Sequence, residues 1–296
     1  MSSPRPSRTA PPTFVPPKPL DLTAVPSISQ LIQGPPGTGK THHLCSMPSP
    51  ILVGVTESNT AVYQGFKEQG VDLTALPVDD WETFQWFVRL TKNRQWGEHL
   101  GTEPRTVGID VYGLIGTRLV MDKKANPSNV TGAGQLQPPV WDQVKGEQWT
   151  EILDFAGAVK ALAGKPSYHI VVCSHEYEDL EVKITRVGGR PVEESTLRGV
   201  YPEAPGSFRK SFAARFDCAF LSGKEPKLKE GGGPREVVGT SYFLRTVPPD
   251  KFRQTKDGFG GKAGRGTLPP KVGNTWADLC GAWGVDPETL KVKATA

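Results

Sequence analysis

Residues 34–41 read Gly34-Pro35-Pro36-Gly37-Thr38-Gly39-Lys40-Thr41 and match G-x-x-x-x-G-K-[ST] at every position. Glycines at this spacing let the backbone curl so that successive N–H groups face an anion. Lys40 is placed to reach β- and γ-phosphates, and the Thr41 hydroxyl is the type of group that ligates Mg²⁺. The loop therefore implies a nucleoside triphosphate ligand. Three more polar residues stand where apolar runs stop. Asp110 ends Thr106–Ile109 and has the type of a Walker B acid that holds Mg²⁺ through water, or of an Asp that only terminates a strand. Glu57 follows Ile51–Val55 and could polarise an attacking water, or be an exposed strand-end acid. His175 or Ser174, after His169–Cys173, could sense a γ-phosphate or be structural. His42 and His43 suit a helix surface better than catalysis.

These residues need elements to hold them. Ile28, Leu31 and Ile32 predict a short strand before the loop, and Thr41–Cys45 a helix that stops before Pro48. Buried strands are expected at 51–55, 106–110 and 169–173, with short extended pieces at 71–73 and 75–78. A helix is expected from Asp79 or Asp80, with Asp79 and Glu82 at capping-box spacing and Trp81, Phe84 and Val88 facing the core. Residues 123–146 read as a long polar loop, and 147–163 as a helix capped by Gly164. Further on, strands are expected at 182–187, 216–221 and 241–247, with turns at Gly188-Gly189 and Gly231–Gly233. A glycine-rich basic stretch at 257–266 precedes a short helix around Thr275–Trp283 that ends at Gly284. Alternating strands and helices, with polar residues closing each apolar run, predict a parallel sheet with ligands at its carboxyl edge.

The chain has 296 residues, 36% hydrophobic and 22% charged, which suits one large α/β domain or two small ones. No apolar run is long enough to span a membrane, and the N-terminus has no signal-peptide core, so a cytoplasmic protein is expected. Cys45, Cys173, Cys218 and Cys280 lack metal-ligand spacing and read as reduced, buried thiols. Charge is uneven. Residues 1–182 carry 15 Lys/Arg against 19 Asp/Glu, and residues 183–296 carry 20 against 12. A basic second half suits a polyanion partner, and equally a set of solvated loops. Eight prolines in residues 1–26 predict a disordered or polyproline-like tail.

With Gly34–Thr41, Glu57 after ILVGVT, Asp110 in TVGIDVYGLI, IVVCSHE around His175 and the late YFLRTVPPDKFRQTKDGFGG in view, the chain resembles the RecA-like P-loop NTPases of bacteriophages. That family includes proteins that assist single-strand annealing and recombination. The resemblance covers roughly 27–270 and implies a RecA-like α/β core with a mostly parallel sheet flanked by helices and extended by C-terminal strands. Residues 1–26 would be a tail and 271–296 a C-terminal helical tail. By the resemblance, the cofactors are ATP and Mg²⁺, Glu57 is the catalytic carboxylate, Asp110 the Mg²⁺-associated acid and His175 a polar switch. Lys251, Arg253 or Lys256 would act on a neighbouring subunit's γ-phosphate in a homo-oligomer. Single-stranded DNA would meet loops 123–146 (Lys123, Lys124, Lys145) and 177–210 (Lys183, Arg186, Arg190, Arg198, Arg209, Lys210), with a phage single-strand binding protein as a further partner and the host cytoplasm as the location. His42-His43 departs from the small residues the family carries there. Two other classes stay open: a AAA+ type motor or helicase loader, against which Val111 rather than Glu follows Asp110, and a nucleotide switch or kinase without DNA contact.

Overall fold

A computed structural model describes residues 27–57, 60–96, 103–157, 168–187, 190–204, 209–228, 237–251, 253–259 and 268–293. The expected N-terminal tail, Gly164, and the turns at Gly188-Gly189 and Gly231–Gly233 lie outside them. In chain order the elements are β1 (Ser29–Gln33), α1 (Lys40–Cys45), β2 (Ile51–Val55), α2 (Ala61–Glu68), β3 (Leu73–Pro77), α3 (Trp81–Asn93), β4 (Thr106–Asp110), α4 (Tyr112–Ala125), α5 (Pro138–Gly157) and β5 (His169–Ser174). They continue as β6 (Glu176–Val187), β7 (Arg190–Pro202), α6 (Arg209–Phe212), β8 (Cys218–Leu228), β9 (Val237–Arg245), β10 (Lys256–Asp257), β11 (Lys271–Gly273) and α7 (Trp276–Trp283).

The main sheet runs β11-β9-β8-β1-β5-β4-β2-β3, with β10 beside β8. From β3 to β8 every pairing is parallel, while β9, β10 and β11 join antiparallel. Strand period two divides the side chains between two cores. Leu31, Val107, Ile109, Ile170 and Val172 face α3, α4, α5 and α6. Ile32, Val53, Val171, Cys173 and Phe220 face α1, α2 and α7. On β4 the second face carries Gly108 and Asp110. A Cβ on Gly108 would lie 2.4 Å from Leu44, so the bare glycine is what lets α1 lie flat on the sheet below Asp110. The segment from 271 adds β11 to the sheet edge and buries Trp276, Leu279 and Trp283 of α7 in the second core. All four cysteines are buried and free.

Local chemistry sets the ends. Asp80, with extended backbone, accepts from Thr83 N–H at 2.7 Å and caps α3, so the cap is Asp80 with Thr83 rather than Asp79 with Glu82. Thr275 caps α7, and Gly284 closes it in the left-handed region.

Two expected loops are shorter than expected. Across 123–146, α4 continues to Ala125, a 3-10 turn follows at Pro127–Asn129, and α5 starts at Pro138. Pro138 and Pro139 sit in the first turn of α5, where a missing N–H breaks no helical bond, so the prolines start the helix instead of interrupting it. Residues 177–210 hold most of the antiparallel β6–β7 hairpin, with a register shift at Asp179/Leu180, and the start of α6. Its outward Val182 and Ile184 gave the alternation expected at 182–187. β7, with its run of Glu and Thr, gave none.

Candidate active site at the carboxyl edge of the sheet

Parallel register brings the strand ends to one edge: Gln33 pairs with Ser174, and Val55 with Asp110. Residues 34–39, 56–57, 110 and 175 therefore emerge side by side. At this edge a cleft of about 400 Å³ has Pro36, Gly37, Gly39, Lys40, Thr41, His42, Glu57, Val62, Asp110, Val111, His175 and Tyr242 on its walls. That volume lies in the range of small-molecule sites.

The loop is curled by Gly37 (φ 71°) and Gly39 (φ 89°), a backbone region that side chains other than glycine rarely adopt. Thr38 Oγ1 donates to the Pro35 carbonyl at 2.8 Å and lies 2.7 Å from Ser222 Oγ. Asn274 Nδ2 donates to the Gly39 carbonyl at 2.8 Å. The loop is thus held from outside by β8 and the segment after β11.

Lys40 is buried. Its Nζ donates to the Gly34 and Pro35 carbonyls at 2.8 and 2.9 Å and lies 3.2 Å from His175 Nδ1. An ammonium has three protons and no lone pair, so His175 Nδ1 accepts and its Nε2–H donates to Glu57 Oε1 at 3.1 Å. Burial lowers the Lys40 pKa, while Cys173, Asp110, Glu57 and Glu176 push it back up. Lys40, His175 and Glu57 form one hydrogen-bonded chain along the cleft.

Asp110 faces the other side of Lys40's helix turn. Its Oδ2 accepts from Thr41 Oγ1 and from Tyr63 Oη, each at 2.6 Å. Its Oδ1 is buried and takes no hydrogen bond from any described N–H or O–H group. Burial, then the Asp110 charge, raises the Tyr63 pKa, so Tyr63 stays a neutral donor. The Thr56 hydroxyl both accepts from Val111 N–H and donates to the Val111 carbonyl, each at 2.8 Å, which ties the end of β2 to the residue after Asp110. Mg²⁺ takes one or two protein oxygens beside phosphates and waters, and Thr41 with the orphaned Asp110 oxygen fits that set. No group of three or more His, Cys, Asp or Glu side chains able to hold a metal occurs among the described residues.

The residues expected from the resemblance to act in trans are occupied within the chain. Arg253 binds Glu176 at 3.0 Å and Asp250 at 2.5 Å. Lys256 donates to the carbonyls of Phe216 and Ala214. Lys251 lies in the turn between β9 and β10. Of the expected DNA contacts, Lys123 pairs with Glu147 (3.3 Å), Lys145 with Asp142 (2.6 Å), Arg198 with Glu181 (2.7 Å) and Lys210 with Asp179 (3.6 Å). Arg209 stacks over Tyr177 at 3.5 Å. His42 lies 5.5 Å from the Phe66 ring, and His43 is fully buried against Gln30. Tyr63, Thr56, Ser222, Tyr242 and Asn274 were not singled out from the sequence. Only Thr56, directly at the end of the β2 run, and Tyr63, on the helix after β2, had a local signal to offer.

One strand, β5, separates the loop strand β1 from the Asp110 strand β4, with the glycine loop and the strand-end polar residues on a common edge. This arrangement defines a RecA-like P-loop α/β fold. No sequence-family model matches the chain, and no curated protein sequence matches it. Among solved structures it is similar to the ATP synthase subunit NeqB from Nanoarcheaum equitans, with 7% identity and TM-score 0.40, over 67% of this chain and 46% of that one. The chain therefore spans less than half of that subunit's length. It is also similar to the flagellar accessory protein FlaH from Methanocaldococcus jannaschii, with 11% identity and TM-score 0.33, over 79% of this chain and 89% of that one. No described helix is long and apolar enough to cross a membrane.

Proposed function

We propose that the chain is a Mg²⁺-dependent ATPase that works with single-stranded DNA, in the manner of the phage recombination proteins it resembles, as a homo-oligomer. The observation that carries the hydrolytic part is the pair of networks around one loop: Lys40–His175–Glu57 on one side and Thr41–Asp110–Tyr63 on the other. Loop N–H groups and Lys40 hold the β- and γ-phosphates, with the Lys40 ammonium exchanging the Gly34 and Pro35 carbonyls for phosphate oxygens. That exchange also frees His175 Nδ1, which lets Glu57 turn from His175 toward a water in line with the γ-phosphorus. The water oxygen bonds to phosphorus, the bond to the bridging oxygen breaks, and ADP leaves with that electron pair while Glu57 takes the water proton. A bound Mg²⁺ would supply charge neutralisation between the phosphates, held by Thr41 and Asp110.

The DNA part is supported by the basic second half of the sequence and by the resemblance. The β6–β7 hairpin weighs against itself as the contact, since it holds four basic and six acidic residues. The test is ATP turnover with and without single-stranded DNA at rising salt. Stimulation that fades as salt rises is expected, because phosphate contacts release counterions. Turnover indifferent to every polynucleotide at low salt would remove the DNA part and leave the nucleotide switch or kinase reading in its place.

A further inference from the structure

β8 lies along the glycine loop and is fixed to it. Gln33 pairs with Leu221, Ser222 Oγ donates to the Gln33 carbonyl at 3.3 Å, and the same hydroxyl meets Thr38 at 2.7 Å. Gly34 approaches so closely that a Cβ there would lie 2.4 Å from Ser222 Oγ. Two residues on, strand alternation turns Lys224 to the same face as Ser222. Its Nζ lies 3.6 Å from where a Cβ would stand on Gly37, at the tip of the loop. Tyr242, the cross-strand partner of Lys224, faces the loop too, with its ring 3.2 Å from the Cβ position of Gly39. Glu225 points the other way and pairs with Lys271 at 2.7 Å, so it does not neutralise Lys224. Lys224 is exposed, no described ion pair holds it, and it lines the cleft on the β8 side of the loop with Pro36, Thr38 and Glu176.

We propose that Lys224 is a catalytic cation of its own subunit's nucleotide site, binding the terminal phosphate at the loop tip; this rests on the ATPase reading above. The loop tip is where the β–γ bridging oxygen lies when Lys40 and the loop N–H groups hold the phosphates. As the bond from phosphorus to that oxygen breaks, the bonding pair and its negative charge move onto it, and a cation already fixed nearby stabilises that charge without reorganising. The backbone bonds that seat β8 on the loop belong to the same chain, so the lysine serves the site it grows beside. A diphosphate keeps that oxygen but lacks the γ-oxygens beyond it. Lys224 therefore has more phosphate oxygens to meet in ATP than in ADP.

The test compares Lys224→Ala, Lys224→Arg and, as a control three residues along the hairpin, Lys227→Ala. ADP affinity is expected to fall clearly less than affinity for a non-hydrolysable ATP analogue, which falls about tenfold, and kcat falls about a hundredfold, with partial rescue by Arg. Lys227→Ala behaves as wild type. Mixing Lys224→Ala with Glu57→Gln restores nothing, because each defect disables its own subunit's site. Unchanged analogue affinity and kcat in Lys224→Ala overturn the proposal, as does recovery of turnover in the mixture, which would give the lysine to a neighbour. Equal loss of ADP and analogue affinity also overturns it, since that is loop damage. Wild-type protein that binds no nucleotide would instead strike the ATPase reading itself and take this proposal with it.

Discussion

The two oxygens of Asp110 stand in different circumstances. Oδ2 receives short hydrogen bonds from Thr41 and Tyr63, and Oδ1 is buried with no N–H or O–H donor. The Cys173 thiol is the one further described donor beside this carboxylate and a weak one, so Oδ1 stays under-paired at a cost of up to about 1–3 kcal/mol, which a bound cation or its water shell would recover. Asp110→Asn is therefore expected to leave Mg²⁺-free ADP binding intact and to raise the Mg²⁺ concentration for half-maximal thermal stabilisation by ADP about tenfold. An unchanged Mg²⁺ titration would remove Asp110 from the metal's surroundings. The acids and the lysine of this site were legible in the sequence because each stands directly beside an apolar run or inside the glycine pattern. Ser222, Lys224, Tyr242 and Asn274 were not. The bonds from Ser222 and Asn274 to the loop span 184 and 235 residues, and nothing local to either marks them.

Glycines decide how closely the elements meet. On Gly34 a Cβ would lie 2.4 Å from Ser222 Oγ and 2.6 Å from the Ser222 carbonyl, which is backbone and cannot rotate away. Gly34→Ala is expected to push the loop off β8, lower stability by about 1–3 kcal/mol and weaken nucleotide binding with it. Gly65 on α2 has nothing within 4 Å of its Cβ position, so Gly65→Ala should gain about 0.5–1 kcal/mol from helix propensity alone. Urea midpoints of the two variants read the contrast, and equal midpoints would contradict it. β2, β4 and α7 lie where the sequence put them, because a buried parallel strand is a continuous apolar run and α7 carries both its caps. Of α4 and α5 only 147–157 declared itself, as part of the helix expected at 147–163; the start of α5 did not, because its prolines occupy a first turn that looks like a break.

Across the whole molecule the two cores bury two histidines. Burial lowers the His43 pKa to about 3 and the His169 pKa to about 4. Both lie below the unfolded value near 6.5, so the unfolded chain takes up protons first as the pH falls. Their contribution is complete above the unfolded value and is lost progressively between pH 6.5 and the folded values. From pH 7.5 to 5.0 each histidine should cost about 2 kcal/mol of stability. His43→Gln should remove about half of the combined drop, read as urea midpoints at the two pH values; a wild-type midpoint that does not move would refute the assignment. At this scale the mostly parallel sheet and its extension by C-terminal strands follow from the order of apolar runs in the sequence, while the antiparallel sense of β9, β10 and β11 does not. Of the β6–β7 hairpin only 182–187 was legible, because Tyr177, Leu180, Val182 and Ile184 are exposed and β7 has little apolar alternation. The most direct test of the hydrolytic site is ATP binding and single-turnover hydrolysis, measured side by side for wild type, Lys40→Ala and Glu57→Gln. Lys40→Ala should lose binding about a hundredfold, and Glu57→Gln should bind within about threefold of wild type while losing turnover about a hundredfold or more. A Glu57→Gln protein that hydrolyses ATP at the wild-type rate would contradict the account.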